Sequence, residues 1–170
     1  MSNPHMDHVF IGVDPGVRGS AVTVGMFAFV KGPLSEREEA MRAIRFPKHT
    51  EHGIYTALLL IKAECVGVQL TAILEKTSIR PPTSASRGGV MMAHYGMCKG
   101  FLIAADIRTI EVTPAVWTRK LGRTDPKKTP HSVKKRRNLA MAQVLYPDRH
   151  IVQETAEAFL LAEYGRRFHQ

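Results

Sequence analysis

Four carboxylates in this 170-residue chain have the types and placement to do chemistry together. Asp14 closes the apolar run "HVFIGVDPG", where the Asp-Pro-Gly turn and the nearby Gly16 and Gly19 leave room beside its carboxylate. Glu75 closes a second apolar run, "QLTAILEK". Glu154 and Glu157 lie in "HIVQETAEAFLLAEYG". At about 100° per residue they share a stripe with Ala158 and Leu161, the side a helix buries. A buried carboxylate without a counter-charge is costly. Four that converge would repel one another and partly protonate, and no Lys or Arg is evident among them. A hard divalent cation resolves the conflict, since carboxylate oxygens suit Mg²⁺ or Mn²⁺. Two such ions about 3.5–4 Å apart can activate a water and stabilise a leaving oxygen in phosphodiester cleavage. If the helix is turned by a fraction of its pitch, Glu154 and Glu157 are simply solvated.

The elements that must position these acids follow from periodicity and turn signals. Strands are expected at His8–Gly16, Ser20–Val30 (with a break or bulge at Gly25), Ala43–Pro47, Gln69–Lys76 and Thr109–Pro114. Helices are expected at His49–Gly67 with Thr50 as N-cap, at Val90–Asp106, at Ala115–Gly122, at Ser132–Pro147 with Ser132 as N-cap, and over the acidic stretch His150–Gly165. The segments "KGPLSEREEAMR" and Thr77–Gly89 read as loops. Early antiparallel strands followed by helix–strand alternation give an α/β domain with a mixed sheet and helices on both faces. Asp14 and Glu75 then stand at strand ends, where such sheets build their sites. Residues 1–7 read as a flexible leader and 8–170 as a single domain. Gly96, Gly100 and Ala104, spaced by four, let another backbone come close, either the sheet or a second subunit. Trp117, the single tryptophan, is expected in the core.

Composition narrows the partners. A hydrophobic share of 44% and a charged share of 23% are those of a globular chain. No apolar run approaches the length of a membrane span, and no signal peptide is visible. Cys65 and Cys98 have no metal-type spacing and read as reduced thiols of a cytoplasmic protein. The net charge is +9, and the segment from Arg119 to Arg137 carries nine Lys and Arg against Asp125 alone. That concentration favours a polyanion, nucleic acid ahead of acidic lipid or protein. Arg119, Lys120, Lys127, Lys128, Lys134, Lys135, Arg136 and Arg137 are candidate contacts to a phosphate backbone, positioning DNA without reading its sequence.

The motifs in order resemble those of the RuvC-like Holliday-junction resolvases, within the ribonuclease H-like superfamily, and the phage and plant-organelle branch above all. "IGVDPGVRGSAVTV" resembles the first-strand signature and "AILEKT" the second acid. "GVMMAHYGMCKGFLIAADIRTIEVTPAVWTRKLG" resembles the glycine-punctuated helix, strand and Pro-x-x-Trp segment. "RRNLAMAQVLYP" and "ETAEAFLLAEYG" resemble the last two helices. The resemblance implies a ribonuclease H-like fold and metal-dependent cleavage of four-way DNA junctions by paired symmetric nicks. It implies Mg²⁺ (or Mn²⁺), two ions per site, and no small-molecule cofactor. It makes Asp14, Glu75 and Glu157 catalytic metal ligands. The last helix departs from the family's usual Asp: the remaining ligand is Glu154 if the spacing is three, Gln153 if it is four, with His150 a further candidate. Lys76 would touch the scissile phosphate, while Arg80 and Arg87 in the loop after Glu75 would enter the junction opening. A two-fold symmetric junction calls for a homodimer.

Three rivals stand beside this reading. A junction-binding protein of the same fold could have catalysis weakened by the altered last helix. Another ribonuclease H-like nuclease could act on flaps or RNA–DNA hybrids. An actin-like sugar or acetate kinase also opens with an acidic strand and a glycine turn, but 170 residues are too few for its two lobes, and the basic segment would serve no purpose there.

Overall fold

A computed structural model describes residues 8–16, 19–26, 39–46, 51–77 and 84–169. The elements run β1 (His8–Asp14), β2 (Ser20–Met26), β3 (Glu39–Arg45), α1 (Glu51–Glu64), β4 (Gln69–Glu75), α2 (Ala85–Ala104), β5 (Arg108–Val112), α3 (Pro114–Lys120), α4 (His131–Leu145) and α5 (Gln153–Phe168). The sheet order is β3-β2-β1-β4-β5. β2 is antiparallel to both β1 and β3, whereas β4 is parallel to both β1 and β5. This is the mixed sheet that the motif order implies.

Side-chain alternation in the central strands divides the core into two layers. Val9, Ile11 and Val13 of β1, with Ala72 and Leu74 of β4, pack under α1 and α2. Phe10 of β1 and Ile73 of β4 point the other way, under α3, α4 and α5. Asp14 and Glu75 share the parity of Phe10 and Ile73, so both acids emerge on the α5 face. Parity alone therefore brings two acids from separate strands together with the acidic helix.

Several boundaries differ from the sequence reading. β3 begins at Glu39, inside the expected loop, because pairing with β2 supports a strand whose own pattern is polar. α2 begins at Ala85, within the expected Thr77–Gly89 loop: the Ser84 hydroxyl caps it by accepting from the Arg87 amide, and its two early glycines sit inside the first turns. Ser132 is not an N-cap, since α4 starts at His131 behind Pro130. The Thr50 cap and the Phe27–Val30 end of the second strand lie outside the described residues.

The glycine stripe of α2 does not rest on the sheet. His94, Cys98 and Leu102 are buried on that side. A Cβ built at Gly89, Gly96 or Gly100 would meet nothing within 4 Å. Both cysteines are buried and free. Among the described residues no helix is long and apolar enough to cross a membrane.

Candidate active site

Among the described residues, each of three acids has one hydrogen-bond donor and no salt-bridge partner. Asp14, at the end of β1, accepts the Gly16 amide on Oδ1 at 2.9 Å. The turn that supplies this donor is closed by the Gly19 amide donating to the Gly16 carbonyl at 2.7 Å. It needs glycine at 19, where a Cβ would fall 2.2 Å from the Asp14 carbonyl oxygen. Glu75, at the end of β4, accepts the Trp117 indole N–H on Oε2 at 2.8 Å. Glu157, in the second turn of α5, accepts from Asn138 Nδ2 on Oε1 at 2.8 Å.

The close approach of α5 to the sheet sets the spacing of the acids. A Cβ at Gly12, two residues before Asp14, would lie 1.9 Å from the Ala158 carbonyl oxygen and 2.5 Å from the Ala162 nitrogen. Helix and strand therefore meet backbone to backbone, with Glu157 delivered beside Asp14.

The charge of Glu157 acts on Asp14, and the charges of both act on Glu75. Burial first, and the Glu157 charge second, push the Asp14 carboxyl from 3.8 up to about 7, while the Gly16 amide and the Lys135 charge pull the other way. Burial and then the charges of Asp14 and Glu157 push Glu75 from 4.5 up to about 8, opposed by the Trp117 N–H and by Lys135. Lys135 is thus a cation close enough to be felt by the acids, which the sequence reading placed among the phosphate contacts alone.

Glu163, a fully buried acid of α5 where Glu157 is half-buried, provides the contrast. It is 1% exposed, yet Arg166 Nε at 2.7 Å, Arg167 Nε at 2.5 Å and the Tyr146 hydroxyl at 2.6 Å all donate to it. Burial pushes its carboxyl up, but these donors more than offset that and hold it below the usual range. The fold can neutralise a buried carboxylate with arginine and does so at Glu163. At Asp14, Glu75 and Glu157 it leaves the negative charge largely uncompensated.

Among the described residues no three acidic, imidazole or thiol side chains already close on one metal-sized point. The donor set nonetheless suits a hard divalent cation: three carboxylates, each held by a single donor, whose like charges crowd one another. Asp14, Glu75 and Glu157 are the residues that would hold it.

The remaining sequence candidates are distributed around this cluster. Glu154 lies one turn before Glu157 and is half-buried. Its backbone carbonyl accepts the Ser20 hydroxyl at 2.8 Å, and its side chain is not among the main charges acting on Asp14 or Glu75. Gln153 opens the helix and is exposed. His150 precedes α5 and is exposed, so it does not share a helical face with Glu154 as the sequence reading had it. Lys76, next to Glu75 in sequence, and Arg87, in the first turn of α2, are exposed, and Arg80 lies outside the described residues. Arg119, Lys127, Lys128 and Arg136 are exposed, and Lys134 is half-buried. Arg137 is tied at 2.9 Å to Asp125, which also pairs with Arg123, and Lys120 stands over the Phe168 ring.

Two contributors went unread in the sequence. Trp117 is 1% exposed, a core residue as expected, but its indole N–H also serves Glu75. Asn138 was overlooked, although the four-residue spacing Asn138–Ala142–Tyr146 places an amide in the buried stripe of α4. Trp117→Phe keeps an aromatic ring in the core and removes the donor. The Glu75 carboxyl is then expected to titrate above about 8, because the bond that favours its charged form is gone. A carbon-13 NMR titration of the Glu75 carboxyl reads this directly; an unmoved midpoint would show that the indole bond does not act on the acid.

Comparison with known proteins completes the site's setting. No family model and no curated protein matches the chain. Solved structures do, among them two of RuvC. "T. thermophilus RuvC in complex with Holliday junction substrate" superposes with a TM-score of 0.60 at 11% identity, covering 97% of each chain. "Thermus thermophilus RuvC structure" gives 0.54 at 15% identity, covering 94% of this chain and 95% of that one. At such identity the likeness is one of fold: the chain has the RuvC form of the ribonuclease H-like fold, a mixed five-stranded sheet with helices on both faces, over nearly its whole length.

Proposed function

We propose that this chain is a divalent-metal-dependent endonuclease that cuts four-way DNA junctions by paired nicks, acting as a homodimer. The observation that carries the reading is the uncompensated trio Asp14, Glu75 and Glu157 on a RuvC-like sheet, beside a segment that holds +8 of the chain's charge. Two Mg²⁺ or Mn²⁺ ions, when bound, would supply an activated water and stabilise the departing 3′ oxygen. The chain's own part is to hold and orient. Gly16, Trp117 and Asn138 fix one carboxylate each, and Glu154 supplies a fourth from the preceding helical turn. Lys135 moderates the negative potential so that a phosphate can approach. Lys76, Arg80, Arg87 and the exposed basic residues from Arg119 to Arg137 take the DNA backbone on either side. The products carry 5′-phosphate and 3′-hydroxyl ends.

A labelled four-way junction and a matched linear duplex, each with Mg²⁺, Mn²⁺ or EDTA, test the proposal. Symmetric metal-dependent nicks in the junction alone support it. A second reading, a junction binder with weakened catalysis, is favoured by one observation: the Glu154 side chain is not among the main charges acting on Asp14 or Glu75. Tight junction binding with no nick under either metal would establish that reading.

The dimer has a candidate surface in the outward face of α2. There Gly89, Met92, Ala93, Gly96, Gly100 and Ile103 are all exposed. Gly96→Ala with Gly100→Ala adds helix propensity of about 1 kcal/mol per site in a free helix. If a second copy seats its backbone there, the double variant is expected to dissociate at higher concentration than the parent while its monomer gains stability. Sedimentation equilibrium, with urea unfolding beside it, separates the two effects. Unchanged self-association would place the interface elsewhere.

A further inference from the structure

Asn138 is 3% exposed and stands on α4 one turn after Lys135. Its Nδ2 donates to Glu157 Oε1 at 2.8 Å, and its Oδ1 is buried with no hydrogen-bond partner among the described residues. A buried amide with half of its capacity unused is a poor packing element. An apolar side chain of the same volume would fill the space without stranding an acceptor. Nothing else in the described structure uses this amide, so its contact with Glu157 is what the side chain provides.

That contact has a geometric consequence. Glu157 rides on α5, whose backbone is locked against β1 at Gly12, so the start of its side chain is fixed. Its carboxylate still turns about the last torsion, which is broad for glutamate. Asn138 pins one oxygen and removes that freedom. The other two acids are held in the same way, Asp14 by the Gly16 amide and Glu75 by the Trp117 indole. Unlike the Gly16 amide, which comes from the strand-end turn itself, Asn138 comes from a separate helix.

We propose that Asn138 is a positioning residue for the metal site, fixing the carboxylate plane of Glu157 so that it meets a divalent cation together with Asp14 and Glu75. This rests on the metal-site reading given above. Outer-shell donors of this kind typically change metal affinity 10–100-fold when removed.

The test is calorimetric titration of Mn²⁺ into the DNA-free protein, with melting temperatures in EDTA recorded beside it. Asn138→Leu keeps the branched shape of the side chain and removes the donor. It is expected to weaken Mn²⁺ binding roughly 10–100-fold while its melting temperature in EDTA stays level or rises. Asn138→His is the rescue, because Nδ1 of histidine stands as many bonds beyond Cβ as Nδ2 of asparagine, and it is expected to recover most of the affinity. Should the Leu variant fail to fold, Asn138→Ala removes the donor without adding bulk and reads the same loss. A folded Leu or Ala variant that binds Mn²⁺ as tightly as the parent would overturn the role of Asn138 and leave the metal site standing. A parent protein with no saturable Mn²⁺ binding would overturn the metal site itself, and this inference with it.

Discussion

The Asp14→Asn variant is expected to lose junction cleavage by on the order of 10³-fold or more and, without metal, to be more stable than the parent at alkaline pH. The two effects have one cause. Asp14 and Glu75 titrate near 7 and 8 in the folded chain, against 3.8 and 4.5 ordinarily. Carboxyls raised by folding stabilise the native state below their unfolded values, and that stability drains away as pH climbs through the folded ones. The metal-free parent should therefore weaken between about pH 4 and pH 8, on the order of 3 kcal/mol for one such acid, and level off above. Asn at 14 removes one titrating group and also lightens the load on Glu75, for which Asp14 is the strongest neighbouring charge. Its stability curve should be flatter across that window. Mg²⁺ or Mn²⁺ should lift the melting temperature of the parent most at pH 8 to 9 and that of the variant little. Thermal melts from pH 4 to pH 9, with EDTA and with metal, check all of this. A parent whose stability rises across the window would mean that the three acids are not crowded together.

Gly12→Ala is expected to be the most damaging single methyl in the molecule. The added Cβ would press on backbone atoms of α5, at 1.9 Å from the Ala158 oxygen and 2.5 Å from the Ala162 nitrogen, and backbone cannot rotate aside as a side chain can. Overpacking usually costs about 1–3 kcal/mol, and a displaced helix belongs to the rare class above about 4 kcal/mol. Gly165→Ala is the internal comparison: its Cβ would meet the Phe10 and Ile73 side chains at 2.6 and 2.7 Å, which can shift in part. Urea unfolding should rank Gly12→Ala well below Gly165→Ala. Where the Gly12 variant still folds, its Mn²⁺ affinity should fall as well, since Glu157 moves away from Asp14 with the helix. Equal stability for the two variants would show that α5 can slide without consequence.

The parts legible in the sequence were those governed by near neighbours. Asp14 and Glu75 each end an apolar run that reads as a strand, and Glu157 follows from helical phase, so three acids and their elements could be read locally. The likeness to RuvC rested on motif order, which survives at 11–15% identity because it tracks the fold. What escaped depends on pairs distant in sequence. Trp117 is 42 residues from Glu75, and Asn138 is 19 from Glu157. No periodicity links such partners. Lys135 was read as a phosphate contact because its segment is basic, while its effect on Asp14 exists only once α4 lies beside α5. The polar β3 and the glycine-bearing start of α2 were read as loop for a related reason. Pairing with β2 and a serine cap outweigh the local preference of those residues.

The basic connection from α3 to α4 is strung between two helices that each restrain an acid, Trp117 on one and Asn138 on the other. Under the proposed function, affinity for DNA and competence to cut it would therefore not be separable modules. A graft that replaced residues 121–130 to change what is bound would also re-space the two donors and reset the acids.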